Sequence, residues 1–177
     1  AGLSFDGVDD YVSVPELATI GGDTGSLSFW FNLDSMSSGE KIVTWGDANS
    51  NEFLFIEEEN DYLVAQYRVG GSNEWKLNSS TGSITTGQWY HVMLTHDGVE
   101  PKLYINGVED TTFSITSDKT KWLSAGTGLD NFLIGGGQFN GSWGGGSHWM
   151  HGKGDEFTYW DYGLDAFAVE TLYNQGN

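Results

Sequence analysis

Across residues 26–33 every second side chain is apolar (Leu27, Phe29, Phe31 and Leu33), with Trp30 on the opposite face. Successive side chains of a strand point to opposite faces, so this spacing specifies a half-buried strand and excludes a helix. The same alternation runs through 89–96 and stops at Asp97-Gly98. Asn106-Gly107, between apolar runs at 102–105 and 108–113, is the strongest short hairpin signal in the chain, because both residues tolerate the left-handed backbone of a tight turn. Shorter strand-like runs lie at 3–5, 11–14, 41–45, 52–56, 62–69, 75–77, 132–134 and 155–161, with Pro15 stopping the second of them. Residues 138–154 read as loop. Asp165 is placed to cap a short helix over 166–173, with Gly176 just past its end.

These elements predict an all-β fold of about a dozen short antiparallel strands with one terminal helix. The 177 residues suit a single domain, 1–177, and contain no internal repeat or boundary. The 26 Gly residues are scattered between apolar segments without a period of three, which excludes collagen. Seven Lys+Arg against 25 Asp+Glu give a net charge of −18. Such a surface repels phosphate backbones and anionic bilayers, so nucleic acid is excluded as a partner. The absence of Cys removes disulfides, thiolate zinc sites and thiol catalysis. No run of 18 apolar residues is present, so no helical membrane insertion is expected. The chain opens at Ala1 with neither signal peptide nor initiator Met, which reads as a module of a longer protein.

Four segments, in order, resemble the bacterial and phage laminin-G-like family of the concanavalin-A-like lectin/glucanase superfamily. They are Leu3-Ser4-Phe5-Asp6-Gly7-Val8-Asp9-Asp10-Tyr11-Val12; then Ser28-Phe29-Trp30-Phe31; then Gln88-Trp89-Tyr90-His91-Val92 with Asp97-Gly98 and Leu103-Tyr104-Ile105-Asn106-Gly107; and last Asp155-Glu156-Phe157-Thr158-Tyr159-Trp160 with Leu164-Asp165 and Leu172-Tyr173. The resemblance covers nearly the whole chain and implies a two-sheet jelly-roll β-sandwich with a short C-terminal helix and ligand loops at one rim. It leaves the ligand open, because one fold hosts many functions.

Two chemistries stand out. Asp6-Gly7-Val8-Asp9-Asp10 offers three carboxylates in five residues, a hard-oxygen set that suits calcium. The resemblance implies Asp6 and Asp155 as side-chain ligands, tying an early turn to the last strand; with Asp9 they form the candidate metal set. The competing reading is that Asp6 and Asp9 close the turn by side-chain-to-backbone bonds. Asp47 to Glu52 is a second oxygen-rich turn, read as an ordinary loop.

The second chemistry is sugar binding, which needs flat aromatic faces and planar hydrogen-bonding groups. Asn140, Trp143, His148, Trp149 and His151 share a Gly-rich segment and form the candidate ligand loop, unless Trp143 and Trp149 fold back over the core. Trp75 and Trp122, flanked by polar residues, are candidate rim contacts, and Arg68 is a candidate polar contact on a sheet face. Trp30 and Trp89 are expected in the core, and His91 in the framework. Glu57 to Asp61 reads as a solvated hairpin tip rather than the facing carboxylates of a glycosidase.

The expected function is a non-catalytic carbohydrate-binding or adhesion module of a secreted, surface or virion protein, stabilised by calcium, with glycan as partner. The alternative is a structural domain whose loop aromatics pack on a neighbouring protein chain. A glycoside hydrolase using Glu57 and Glu59 ranks third.

Overall fold

The computed structural model describes residues 2–139, 141–143 and 149–175, excluding the side chains of Phe139, Ser142 and Trp143. Two antiparallel sheets face each other. One has six strands in the order β1 (Leu3–Asp6), β15 (His151–Trp160), β3 (Gly25–Leu33), β8 (Tyr90–His96), β9 (Pro101–Ile105) and β10 (Val108–Glu109). The other has seven: β11 (Thr112–Thr116), β7 (Ser72–Asn78), β6 (Leu63–Val69), β5 (Phe53–Glu58), β4 (Glu40–Gly46), β12 (Asn131–Ile134) and β2 (Val12–Ser13). A ribbon of β13 (Gln138–Phe139) and β14 (Ser142–Trp143) stands apart. Among the described residues the α-helices are α1 (Pro15–Ala18) and α2 (Ala166–Gln175). The jelly-roll expectation is met.

The alternation of β3 sets the core. Leu27, Phe29, Phe31 and Leu33 point inward and meet Trp45 of β4 and Leu54 and Ile56 of β5. Ser28 and Trp30 point outward, where Ser28 Oγ and His91 Nε2 share a hydrogen bond of 2.7 Å. The His91 ring is buried, and that burial pushes its pKa down to about 4. The hairpin at Asn106-Gly107 has φ of 52° and 79°, the left-handed pair its sequence requires. Asp165 Oδ1 accepts the Ala168 backbone N–H at 2.9 Å, which starts α2 as its sequence implies.

Some expectations are corrected. Trp75 and Trp122 are not rim contacts but fully buried. Their polar neighbours face away from the core, while Trp75 Nε1 donates to the Lys121 carbonyl at 2.8 Å, so the indole is buried with its N–H satisfied. Trp89, expected inside, is 43% exposed because β8 begins one residue later, at Tyr90. Pro15 does more than end a strand; it opens α1, where its fixed φ and missing N–H cost nothing. Part of the expected 138–154 loop is strand: β13–β14 pairs, and β15 starts at His151.

The acidic tip also proves shorter than its sequence suggests. Glu57 and Glu58 belong to β5 and are buried, leaving 59–62 as the turn. Glu58 stands opposite Glu40 in the β4–β5 ladder, and Glu40 is buried too. Burial first, and then the charge of Glu40, raise the Glu58 pKa to about 7.

Two outcomes follow. Trp75→Ala should destabilise the fold by about 3–5 kcal/mol, read from the denaturant midpoint, since it empties the largest kind of core volume. Native Glu58 holds a proton that the unfolded chain releases near its ordinary 4.5, so its contribution to stability falls as pH rises from 4.5 to about 7. Glu58→Gln should remove that slope, worth about 3 kcal/mol at most, and unfold at a higher temperature than the parent at pH 8 but not at pH 4.

Candidate functional site

The pairing register fixes which side chains share the outer face of the seven-stranded sheet. One row runs Asn73, Arg68, Phe53, Gly46, Asn131 across β7, β6, β5, β4 and β12. The next runs Lys76, Gln66, Phe55, Thr44, Leu133. A third runs Asn78, Val64, Glu57, Lys41. Their in-chain neighbours Tyr67, Leu54, Ile56 and Trp45 point into the core. This face therefore carries aromatic, amide and charged groups side by side.

Arg68 is the only arginine of the chain. Its Nη1 donates to Asn73 Oδ1 at 3.1 Å, and Gln66 Nε2 donates to the same oxygen at 2.8 Å. One amide oxygen thus orients both donors. Arg68 Nε is buried and has no hydrogen-bond partner among the described residues. Thr44 Oγ1, Asn78 Oδ1 and Asn131 Oδ1, on the same face, are in the same state. A buried polar atom without a partner costs free energy that a ligand's oxygens or hydroxyls would recover. Phe53 and Phe55 stack at 4.8 Å between centroids next to the Arg68 and Gln66 positions. Lys41 Nζ donates to Glu57 and lies 4.6 Å above the Phe55 ring, so this buried charge is paired on two sides.

Two residues that flank the Gly-rich segment, Gln138 and Trp149, border this face. The Gly46 Cα approaches the Gln138 carbonyl so closely that a Cβ there would lie 2.1 Å from it, and Asn131 Nδ2 donates to that carbonyl at 3.0 Å. Trp149 forms an isolated bridge with Lys41 and stacks on Tyr11 at 5.8 Å. Trp149 thus packs half-buried along the edge of the face instead of projecting from a loop. His151 lies in β15 with its Nδ1 at 3.0 Å from Ser35 Oγ. Asn140 and His148 lie outside the described residues, as does the Trp143 side chain; the Trp143 backbone pairs with Gln138 in the ribbon. Arg68 stands half-buried on this face, bonded to Asn73. Trp75 faces the core from the same sheet.

Nothing in the local sequence around Gln66 and Asn73 singles them out; only register unites them with Arg68. One signal was present: residues 53–56 are apolar at both parities, which means both faces of that strand are covered.

In the early turn, ligand oxygens of Asp6, Asp9 and Asp10 lie within 4.8 Å of one another. Asp6 Oδ1 accepts the Val8 N–H at 2.8 Å and Asp10 Oδ2 accepts the Asp6 N–H at 3.1 Å, so turn-closing bonds coexist with free lone pairs. Asp155 does not join them. Asp6 pairs with His151, four residues before Asp155, which places the two roughly 14 Å apart along the ladder. Asp10 takes the third place instead. Asp47 closes its own turn, accepting from Asn49 N, Ser50 N and Ser50 Oγ. Glu57 and Glu59 are held by different partners, Lys41 and Ser38.

A family model described as the concanavalin A-like lectin/glucanases superfamily matches residues 6–169. No curated protein sequence matches the chain. Among solved structures, the carbohydrate-binding module CBM40 of a Ruminococcus gnavus IT-sialidase, bound to α2,3-sialyllactose, is similar with a TM-score of 0.81 at 14% identity, covering 97% of this chain and 96% of that one. The NanB sialidase of Streptococcus pneumoniae gives 0.81 at 16% identity, over 96% of this chain and 27% of that one. Domain 4 of the extracellular arabinanase AbnA of Geobacillus stearothermophilus, in complex with arabinotriose, gives 0.70 at 17% identity, over 97% of this chain and 76% of that one. At these identities the likeness is one of fold.

Gln66→Leu removes a donor that shares Asn73 Oδ1 with Arg68 on a half-buried face. It should leave the unfolding temperature within a few degrees of the parent, while Trp75→Ala, on the inner face of the same sheet, lowers it strongly.

Proposed function

The chain belongs to the concanavalin A-like lectin/glucanase superfamily, and on that premise we propose that it is a non-catalytic carbohydrate-binding module that takes its glycan on the outer face of the seven-stranded sheet. The observation that carries this reading is Arg68, whose guanidinium is oriented by Asn73 and keeps a buried, unpartnered Nε. Arg68, Gln66 and Lys76, all half-buried, supply polar groups for hydroxyls, while Phe53 and Phe55 lie buried in the same rows.

The guanidinium fork matches a carboxylate in two parallel bonds, so the ligand class it suits best is a glycan bearing an acidic sugar. The R. gnavus module, whose structures are bound to α2,3- and α2,6-sialyllactose, supports this choice. A net charge of −18 opposes an anionic ligand at long range. Affinity must therefore come from short-range contact with Arg68, and truncating that one side chain should be decisive. In this reading the module belongs to a secreted, surface or virion protein, where such glycans are met.

Calcium is proposed as a scaffold ion of the early turn, held by Asp6, Asp9 and Asp10, whose carboxylates form a hard-oxygen donor set. It would stiffen the connection from β1 to β2 beside Tyr11, which stacks on Trp149.

Titration with sialyllactose should give micromolar-to-millimolar binding that Arg68→Ala weakens about tenfold or more, with Arg68→Lys recovering only part of it. Lactose should bind more weakly and respond little to either variant. Unchanged sialyllactose binding by Arg68→Ala would overturn the site. Calcium should raise the thermal midpoint relative to EDTA, an effect lost in Asp9→Asn/Asp10→Asn and kept in Asp155→Ala.

A further inference from the structure

The opposite side of the sandwich carries a second concave surface that the reading above does not use. A groove of about 630 Å³ lies between α2 and the β9–β10 hairpin, on the outer face of the six-stranded sheet. Val169 anchors α2 by packing on Met93 and Tyr104. The next faces of the helix, through Phe167, Glu170 and Tyr173, line the groove against Tyr104, Asn106 and Glu109.

Three properties of this groove point the same way. Phe167 is 78% exposed, the most exposed of the large apolar side chains described, and Val108 beside it is 69% exposed. An aromatic ring left in water at the mouth of a cleft is a contact surface in waiting. The charge of the groove is one-sided: Glu109 and Glu170 line it, and no Lys or Arg does among the described residues. Its field reaches the wall, since burial first, and then Glu109, Asp165 and Asp97, hold the Tyr104 hydroxyl above its ordinary pKa. Finally, Asn106 Oδ1 is committed to the His91 N–H at 2.9 Å, which fixes the amide and leaves its NH₂ as donor.

We propose that this groove is a second carbohydrate site, selective for sugars bearing a free amine. The ammonium group sits between the Glu109 and Glu170 carboxylates, and the sugar ring lies against Phe167. An aromatic face and a carboxylate each favour a cation, and together they discriminate against both neutral and acidic sugars. The overall charge of −18 adds long-range attraction for the same ligand, the reverse of its effect on the opposite face. The two sites are thus independent, on opposite faces, and of opposite charge preference.

The test is calorimetric titration of the intact chain with a glucosamine tetramer, its N-acetylated counterpart and cellotetraose, at low and high salt. The glucosamine tetramer should bind most tightly, with affinity falling as salt rises. Phe167→Ala keeps every charge and, at so exposed a position, leaves the fold intact; it should weaken binding about fivefold. Glu109→Gln/Glu170→Gln should weaken it about tenfold or more. Arg68→Ala should change nothing here, which separates this site from the sialyllactose site. Absence of binding, equal binding of the N-acetylated tetramer, or full binding by Phe167→Ala would each overturn the proposal, the last by assigning the affinity to the acidic surface as a whole.

Discussion

The fold depends on large aromatic side chains that bury their area, three of which satisfy a polar atom on a connecting segment. Trp45 Nε1 donates to the Leu17 carbonyl at 2.9 Å, Trp75 Nε1 to the Lys121 carbonyl at 2.8 Å, and Tyr67 OH to the Trp122 carbonyl at 2.7 Å. In a medium without water these donors have few alternatives. Each bond pins a connecting segment onto the sheets: α1 through Trp45, and the stretch before the 3₁₀ turn at Leu123–Ala125 through Trp75 and Tyr67. The stacking of Trp75 on Trp122, 6.1 Å between centroids, then fills the end of the core. The loops are therefore placed by the core and not only attached to its strands.

With the inner faces occupied in this way, the sheets have only their outer faces left for contact, and the two differ. The seven-stranded sheet is bordered at its β4–β12 side by Gln138 and Trp149, while toward β6 and β7 Arg68, Gln66 and Lys76 are half-buried. The six-stranded sheet is covered by α2, whose packing on Met93 and Tyr104 leaves an acidic, aromatic groove beside the hairpin. A single arginine decides the character of one face; two glutamates and an unpacked phenylalanine decide the other.

The carboxylates also divide by environment. Asp6, Asp9 and Asp10 are exposed and cluster in one turn, whereas Glu40 and Glu58 are buried opposite each other and resist joint ionisation. Glu58 Oε2 accepts the Ser37 N–H at 3.1 Å, and Glu40 Oε2 the His151 N–H at 3.3 Å. The pair thereby ties the β3–β4 loop and the start of β15 to the rim of the seven-stranded sheet.

The amino-acid sequence by itself determined most of the strands, the hairpin at Asn106-Gly107, the cap at Asp165 and the inward set of β3, because period and turn chemistry are local properties. It could not determine what covers an outward face. Trp75 and Trp89 each sit among polar neighbours, yet one is fully buried and the other is not, since burial depends on segments far along the chain. Nor could it place Asp155 relative to Asp6, because ladder register is set by pairing and one residue of shift moves a side chain to the other face. The union of Arg68 with Asn73, Phe53 and Gln66 was likewise a decision of the tertiary structure: adjacent strands bring together residues whose proximity no stretch of sequence contains.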